Sequence, residues 1–241
     1  RSETYPDHCA VYFEDLSKGT LNNITADFVV GCDGARSLIR RLIGTTFTDL
    51  NLHSQWLVVD FLANENEKDL GDYSIQYCDP KRPMSYIKGT GQRRRWEIMV
   101  MPEDDVKSLT EPNTIWSLLQ DYISPEQAKI ERAAVYTFHA LLAQNWVKDR
   151  LVIAGDAAHQ TPPFMGQGMA AGIRDASKLA WKLHQVIHHH QDLALIQSYF
   201  KERVTHVSEF IEGAVQFGKI IQNYCADSEY QVQAVRLKNF I

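Results

Sequence analysis

The stretch RLVIAGDAAHQTPPFMGQGMAAGIRDASKLAWKL, residues 150–183, constrains the fold more than any other part of the chain. Its start, LVIAGD, is a short apolar run ending in Gly155 and Asp156, the pattern of a strand buried in a sheet. Pro162 and Pro163 then interrupt regular structure, Gly166 and Gly168 let the backbone turn and admit close approach, and an amphipathic helix follows. In layered α/β folds ligands gather at the carboxyl ends of strands, where an acid can accept hydrogen bonds from ribose hydroxyls. A helix N-terminus at the same place offers unpaired N–H groups and about half a positive charge, which suits a phosphate or an electron-rich ring. A plainer reading of Gly166, Gly168 and Gly172 is tight helix packing, and the turn alone leaves both open.

A second motif of the same kind lies upstream. ADFVVGCDG is a near-continuous apolar run of the sort found inside sheets, and it ends in Asp33 and Gly34. Around it, residues 9–50 read as strand, hairpin, strand and helix, with Lys18-Gly19 at the turn and ARSLIRRLIG closed by Gly44. Residues 53 to about 145 change character: QWLVVDFLA, YSIQYC, MSYIKG and RRRWEIMVM are separated by NENEKDLGD, DPKRP and GTGQ, which predicts an antiparallel meander. Helices are expected at EPNTIWSLLQDY and SPEQAKI, the latter with Ser124 as N-cap and Gln127 completing a capping box, before AAVYTFHALLA returns as a strand. Two long helices end the chain. The first carries an apolar face of Ile173, Ala176, Leu179, Ala180, Leu183, Val186 and Ile187; the second, from near Asp192, carries Ile196, Tyr199, Phe200, Val207, Phe210 and Ile211. The division that follows is 1–50, 51–145 and 146–241.

Composition narrows the function. With 241 residues and 44% hydrophobic content the chain can bury a sizeable core. The net charge of -5 and the short, separate clusters Arg40-Arg41 and Arg93–Arg95 argue against a nucleic-acid face. No apolar run approaches a membrane span and the first residues lack signal-peptide features, so a cytoplasmic protein without a membrane partner is expected. Cys9, Cys32, Cys78 and Cys225 are far apart and read as reduced thiols. His188–His190 point in different directions from a polar helix end and read as solvated surface, so no metal site is expected.

The two acid motifs resemble the DG and GD motifs of the single-component flavoprotein aromatic hydroxylases, the para-hydroxybenzoate hydroxylase fold family. RRRWEIMVMPEDD is similar to the branch containing 3-(3-hydroxyphenyl)propionate hydroxylase. The resemblance implies an α/β (α+β) fold: a partial Rossmann-like FAD-binding domain (1–50 and 146–241), an inserted, mostly antiparallel substrate-binding sheet (51–145), and long C-terminal helices. It places Asp33 and Gly34 near the FAD pyrophosphate, gives Arg36 a role toward the nicotinamide nucleotide, sets Gly155 and Asp156 at the ribitol or ribose, Pro163 against the flavin ring, and Gly166, Gln167, Gly168, Met169 and Ala170 along its pyrimidine edge. The implied activity is a monooxygenase using FAD, NAD(P)H as co-substrate and dioxygen to hydroxylate a small phenolic substrate through a flavin C4a-hydroperoxide, with a homodimer as the compatible assembly. Because the flavin carries the chemistry, no catalytic side chain is assigned; His159 stands between a structural and a catalytic role. Arg82 and Arg93–Arg95 are candidate partners for a substrate carboxylate, against the alternative of exposed basic surface.

One departure matters. The family's G-x-G-x-x-G turn for the ADP part of FAD is absent, so the chain is expected to be truncated at its N-terminus and to hold FAD weakly by itself. Two other readings stand beside the hydroxylase. One is a flavin oxidoreductase of the same fold acting on a non-aromatic substrate; the other is a cofactor-free binding module derived from the fold.

Overall fold

The computed structural model describes residues 1–64, 73–79 and 81–223. Most of NENEKDLGD, Pro80, Cys225 and the rest of 224–241 lie outside the described residues. The chain forms two compact units, one of Arg1–Leu52 with His139–Val215, the other of His53–Phe138 with the segment from Gln216.

The first unit opens with β1 (Ser2–Thr4), β2 (Cys9–Asp15) and β3 (Thr20–Ala26), an antiparallel sheet in the order β1-β2-β3. Gly19, at φ +62°, makes the β2–β3 turn expected at Lys18-Gly19. β4 (Val29–Gly31) and α1 (Leu38–Ile43) follow, and Gly44 at φ +76° ends α1 with its N–H on the Arg40 and Arg41 carbonyls. β5 (Phe47–Ala63) then carries the chain out of this unit.

In the second unit β6 (Ile75–Tyr77), β7 (Met84–Lys88) and β8 (Arg93–Met99) form the expected meander, followed by α2 (Pro112–Leu119). β9 (Ala128–Ala143) returns the chain to the first unit. The strand order is β9-β5-β8-β7-β6. Leu57, Val59, Phe61, Trp96 and Ile98 fill one face of this sheet together with Ile115 and Leu119 of α2. Phe61 meets Trp96 edge-on, with ring centroids 5.4 Å apart. Side chains of this size contribute about 1.5–3 kcal/mol each when fully buried, so the aromatics of the layer serve its packing first.

SPEQAKI does not form a helix. The N–H groups of Gln127 and Ala128 bond to the Ser124 carbonyl, and the Ser124 N–H bonds to Gln127 Oε1, but the chain makes a single turn before entering β9. Half of the capping box is present. Pairing of β9 within the sheet ends the turn before a second one can form.

Back in the first unit, β10 (Val147–Lys148), β11 (Leu151–Ile153) and β12 (His159–Gln160) precede α3 (Gly168–His189) and α4 (Ala194–Asn223). β11 pairs antiparallel with β10 and parallel with β4. Among the described residues β4 is the sheet's edge, and Val30 is 36% exposed, less buried than its apolar run predicts. Trp146 centres the core: it is fully buried, donates Nε1–H to the Ala143 carbonyl at 3.0 Å and packs beside Tyr199 and Phe200.

Of the two long helices α4 keeps its expected face, with Ile196, Tyr199, Val207 and Ile211 buried and Phe200 packed against the same core, whereas α3 departs from its own. On α3, Leu179, Leu183 and Val186 join the core as read, but Ile173, Ala176 and Ala180 are exposed, and the buried line runs through Ala171, Asp175, Leu179 and Lys182. Asp175 and Lys182 occupy it because α4 presents Arg203 and Glu202 to them, so ion pairing outweighs apolar periodicity. Among the described residues no helix is long and apolar enough to cross a membrane.

Gly31 is where α1 comes closest to β4: a Cβ there would lie 2.5 Å from Ile39 Cβ. Gly31→Ala is therefore expected to destabilise the protein by about 1–3 kcal/mol through overpacking. Urea denaturation should show a lower midpoint at an unchanged slope.

Candidate functional site

In the parallel pair, Ile153 lies opposite Gly31, and the Ala154 N–H extends the ladder to the Gly31 carbonyl at 3.1 Å. Cys32-Asp33-Gly34 and Gly155-Asp156 thus leave the same edge of one sheet side by side. The sequence motifs are neighbours because their strands are.

The two acids do different things there. Asp33 turns its carboxylate into its own chain: Oδ1 accepts from Ser37 Oγ at 2.5 Å, and Oδ2 accepts from the N–H groups of Leu38 and Ile39 at 2.6 and 3.1 Å. It acts as a cap for α1, beside Ser37, whose Oγ accepts from the Arg40 N–H at 2.9 Å. Burial raises the Asp33 carboxyl, but the bonds from Ser37, Ile39 and Leu38 outweigh it and hold the group below the usual carboxylate range. Gly34, at φ +75°, receives the Ser37 N–H on its carbonyl. Arg36 is exposed, with no hydrogen-bond or ion-pair partner among the described residues.

Asp156 is exposed and likewise has no side-chain partner among the described residues. The residue before it, Gly155, stands at φ +60°, which favours glycine. After β12, Pro163 opens a short 3-10 turn closed by Gly166 at φ +64°, whose N–H bonds to the Pro163 carbonyl at 2.8 Å. Gln167 precedes α3 without a side-chain cap, and the first turn of the helix contains no acid. The N–H groups of Gly168, Met169 and Ala170 have no intrahelical acceptor, as in any first helical turn; that of Ala171 is bonded to the Gln167 carbonyl. A Cβ at Gly166 or Gly168 would meet nothing within 4 Å, and Met169 is 81% exposed. The start of α3 is uncapped, and a Cβ at Gly166 or Gly168 would stand in open space.

Two side chains hold the two turns together and a buried cluster supports the second from below, and the sequence reading missed their role. Arg40 donates to the carbonyls of Ala157 at 3.0 Å and Ala35 at 2.8 Å, while its guanidinium lies 4.2 Å from the centre of the Phe47 ring. Gln160 Nε2 also donates to the Ala35 carbonyl, at 3.2 Å. Beneath the second turn sits a buried cluster. Asp175 Oδ2 accepts from the Gly155 N–H at 2.9 Å and from His159 Nε2 at 2.6 Å, and Oδ1 accepts from Arg203 Nε at 2.8 Å. Burial raises the Asp175 carboxyl, but His159, Arg203 and Gly155 together hold it low. His159 is fully enclosed beside Trp146, which gives it a structural place. An Asp at helical spacing with Leu179, on the line that Ala171 also occupies, was the available signal for this cluster.

Residues 3–214 match the FAD binding domain family. The chain is 36% identical over 203 residues to a probable NADH-specific resorcinol 4-hydroxylase of Rhodococcus jostii (strain RHA1), covering 84% of this chain and 38% of the relative. It is 34% identical over 216 residues to a 3-(3-hydroxy-phenyl)propionate/3-hydroxycinnamic acid hydroxylase of Burkholderia cenocepacia (strain HI2424), covering 89% and 39%. Among solved structures, the flavin-dependent monooxygenase PieE in complex with FAD and substrate superposes with a TM-score of 0.79 at 18% identity, over 91% of this chain and 40% of that one. p-Nitrophenol 4-monooxygenase PnpA of Pseudomonas putida DLL-E4 gives 0.78 at 21% identity, over 92% and 56%. The chain thus spans about two fifths of the length of the curated relatives it matches.

The cap at Asp33 has a measurable pH signature. A depressed folded-state pKa contributes stability that is complete above the unfolded aspartate value and disappears as pH falls through the folded one. Asp33→Ala is expected to cost roughly 0.5–2 kcal/mol at neutral pH, toward the lower end because the group is exposed and screened. Denaturation of variant and wild type across the acid range should show the difference shrinking below about pH 4.

Proposed function

We propose, since the chain belongs to the FAD binding domain family, that these residues form the flavin-ring side and the substrate cover of an aromatic monooxygenase. The observation that carries this reading is Asp156: an exposed carboxylate without a partner among the described residues, beside the open N-terminus of a 22-residue helix. FAD fits that arrangement. Asp156 would accept from a ribityl or ribose hydroxyl, and Gly155 would let the backbone approach. Pro163 would face the ring, Gly166 would turn the backbone along its pyrimidine edge, and the N–H groups of Gln167, Gly168, Met169 and Ala170 would stabilise negative charge there. Asp33 and Gly34 would shape the pyrophosphate side through the α1 cap, and Arg36, free to move, would meet the nicotinamide nucleotide. Residues 1–50 and 146–241 would be the flavin part and 51–145 the substrate part.

Bound there, FAD supplies two-electron transfer from a reduced nicotinamide, NADH or NADPH, and activation of dioxygen. One oxygen atom becomes the new hydroxyl and the other leaves as water. The substrate proposed is a phenol, because its hydroxyl enriches the ring carbons ortho and para to it, and because both relatives above are hydroxylases whose names specify phenolic rings. A cytoplasmic setting would supply the reduced nicotinamide.

The arginines considered for a substrate carboxylate are engaged within the second unit. Arg82 pairs with Asp104, Arg93 with Glu131 and Arg95 with Asp60, while Arg94 donates to the Gly91 and Arg93 carbonyls. They brace the sheet, so a carboxylated substrate is not part of the proposal.

Two experiments test it on the protein as its gene encodes it. Asp156→Ala should weaken FAD binding by about 1–3 kcal/mol, the size of a lost charged hydrogen bond, with an unchanged melting temperature; equal affinity in a titration of apoprotein would remove Asp156 from the site. Incubation of a phenol panel with labelled dioxygen and reduced nicotinamide should place label on the ring ortho or para to the existing hydroxyl, with none in matched benzenes. Label appearing only in alkenes or ketones would overturn the phenol reading and leave the flavin one standing.

A further inference from the structure

We propose that Asp175 is a positioning residue for the flavin-facing turn, holding Gly155 and through it Asp156, with Arg203 and His159 fixing the carboxylate in turn. The inference rests on the flavin reading of the site and adds to it a residue that lies outside the turn and touches no ligand.

Gly155 sits in the left-handed region at φ +60°, between the last residue of the β11 ladder extension and Asp156. Its N–H, 2.9 Å from Asp175 Oδ2, is taken up by that buried carboxylate. The same oxygen receives His159 Nε2 and the other receives Arg203 Nε, so the carboxylate is gripped from β12 and from α4 and is fully enclosed. Asp175 also rides on α3, whose first turn forms the open N-terminus. A Cβ on Gly172 of that helix would lie 3.7 Å from Gly155 Cα, so helix and turn meet backbone to backbone. One rigid helix thereby fixes both the free N–H groups and the acid beside them.

Packing of α3 on α4 does not explain the cluster by itself. Lys182, 1% exposed, already links these helices through Glu202 and Ser198, each at 2.7 Å. A carboxylate serving only that interface would have no use for a bond to the turn. Lys182 therefore provides the control: it shares the interface and has no link to Gly155.

The test is a double-mutant cycle on the protein as its gene encodes it, reading FAD affinity by titration, the visible spectrum of bound flavin, and melting temperature. In Asp175→Asn the amide must present N–H either to the Gly155 N–H or to Arg203, so one donor is left facing a donor. FAD affinity should fall about tenfold or more, as expected for one buried unsatisfied group. If Asp175 acts through Asp156, adding Asp156→Ala should cost little further affinity, because the acid is already misplaced. Lys182→Met should lower the melting temperature with FAD affinity and spectrum unchanged. Should Asp175→Asn fail to fold, Arg203→Lys keeps the charge but loses the guanidinium geometry, and the same non-additivity with Asp156→Ala is expected. Multiplicative losses in the cycle, or equal losses of affinity in Lys182→Met, would overturn the inference while leaving FAD binding by the wild type intact. Wild type that takes up no FAD would overturn the flavin reading as well.

Discussion

Every feature of the site depends on the parallel pairing of β4 with β11. Three residue pairs, Val29–Gly31 against Leu151–Ile153, bring together two motifs with the entire meander between them in sequence. Closing so long a loop is less costly than its length suggests, since each doubling adds only about 0.6 kcal/mol. What secures so short a ladder is its surroundings. Val152 and Ile153 are fully buried, and the Tyr199 hydroxyl donates to the Ile153 carbonyl at 3.2 Å. Burial pushes the Tyr199 phenol far up, which keeps it a donor at any pH the protein meets. Arg40 and Gln160 then tie the two turns beyond the strands.

Equivalent positions at adjacent strand ends do not imply equivalent uses. Asp33 is followed closely by α1, whose first N–H groups reach back to its carboxylate, and those bonds satisfy it locally. Asp156 is followed by a proline-glycine turn, and although α3 comes back to meet Gly155 through Gly172, no side chain or helix N–H engages the Asp156 carboxylate among the described residues. The local hydrogen bonds, and not the motif, decide which carboxylate is taken up by its own backbone.

The same contrast marks what was legible in the sequence. The mixed α/β fold, the meander, the left-handed glycines at 19 and 44 and the helix after Gly168 follow from local patterns, because turn chemistry and alternation act over a few residues. Both acid motifs could be seen to end strands, but which acid would be spent could not, since that depends on hydrogen bonds and not on residue type. Asp175 and Lys182 escaped for a related reason: apolar periodicity treats a charged residue as solvent-facing, and only the partner helix shows that Arg203 and Glu202 neutralise these two. SPEQAKI carried a genuine capping signal, which the sheet overrode within one turn. Tertiary pairing wins such contests when the local element is shorter than its own nucleation length.

The arginines of β8 show how the second unit keeps its sheet in register. Along the strand Trp96 and Ile98 enter the core, while Arg95 and Glu97 lie on the opposite face. Arg95 and Arg132, from β8 and β9, both reach Asp60 on β5 between them, at 2.6 and 2.9 Å. Burial raises the Asp60 carboxyl, and the two guanidiniums reverse that and hold it low. Arg93 adds a two-pronged bond to Glu131 of β9, with distances of 2.9 and 2.8 Å. Glu97, which has burial as the main influence on it, is pushed up instead. A slip of β8 by one residue would carry Arg95 and Glu97 to the core face and Trp96 out of it, at the cost of uncompensated charge in an aromatic layer. The ion pairs therefore specify register more than they add stability, and they do so on the face where the apolar pattern says least.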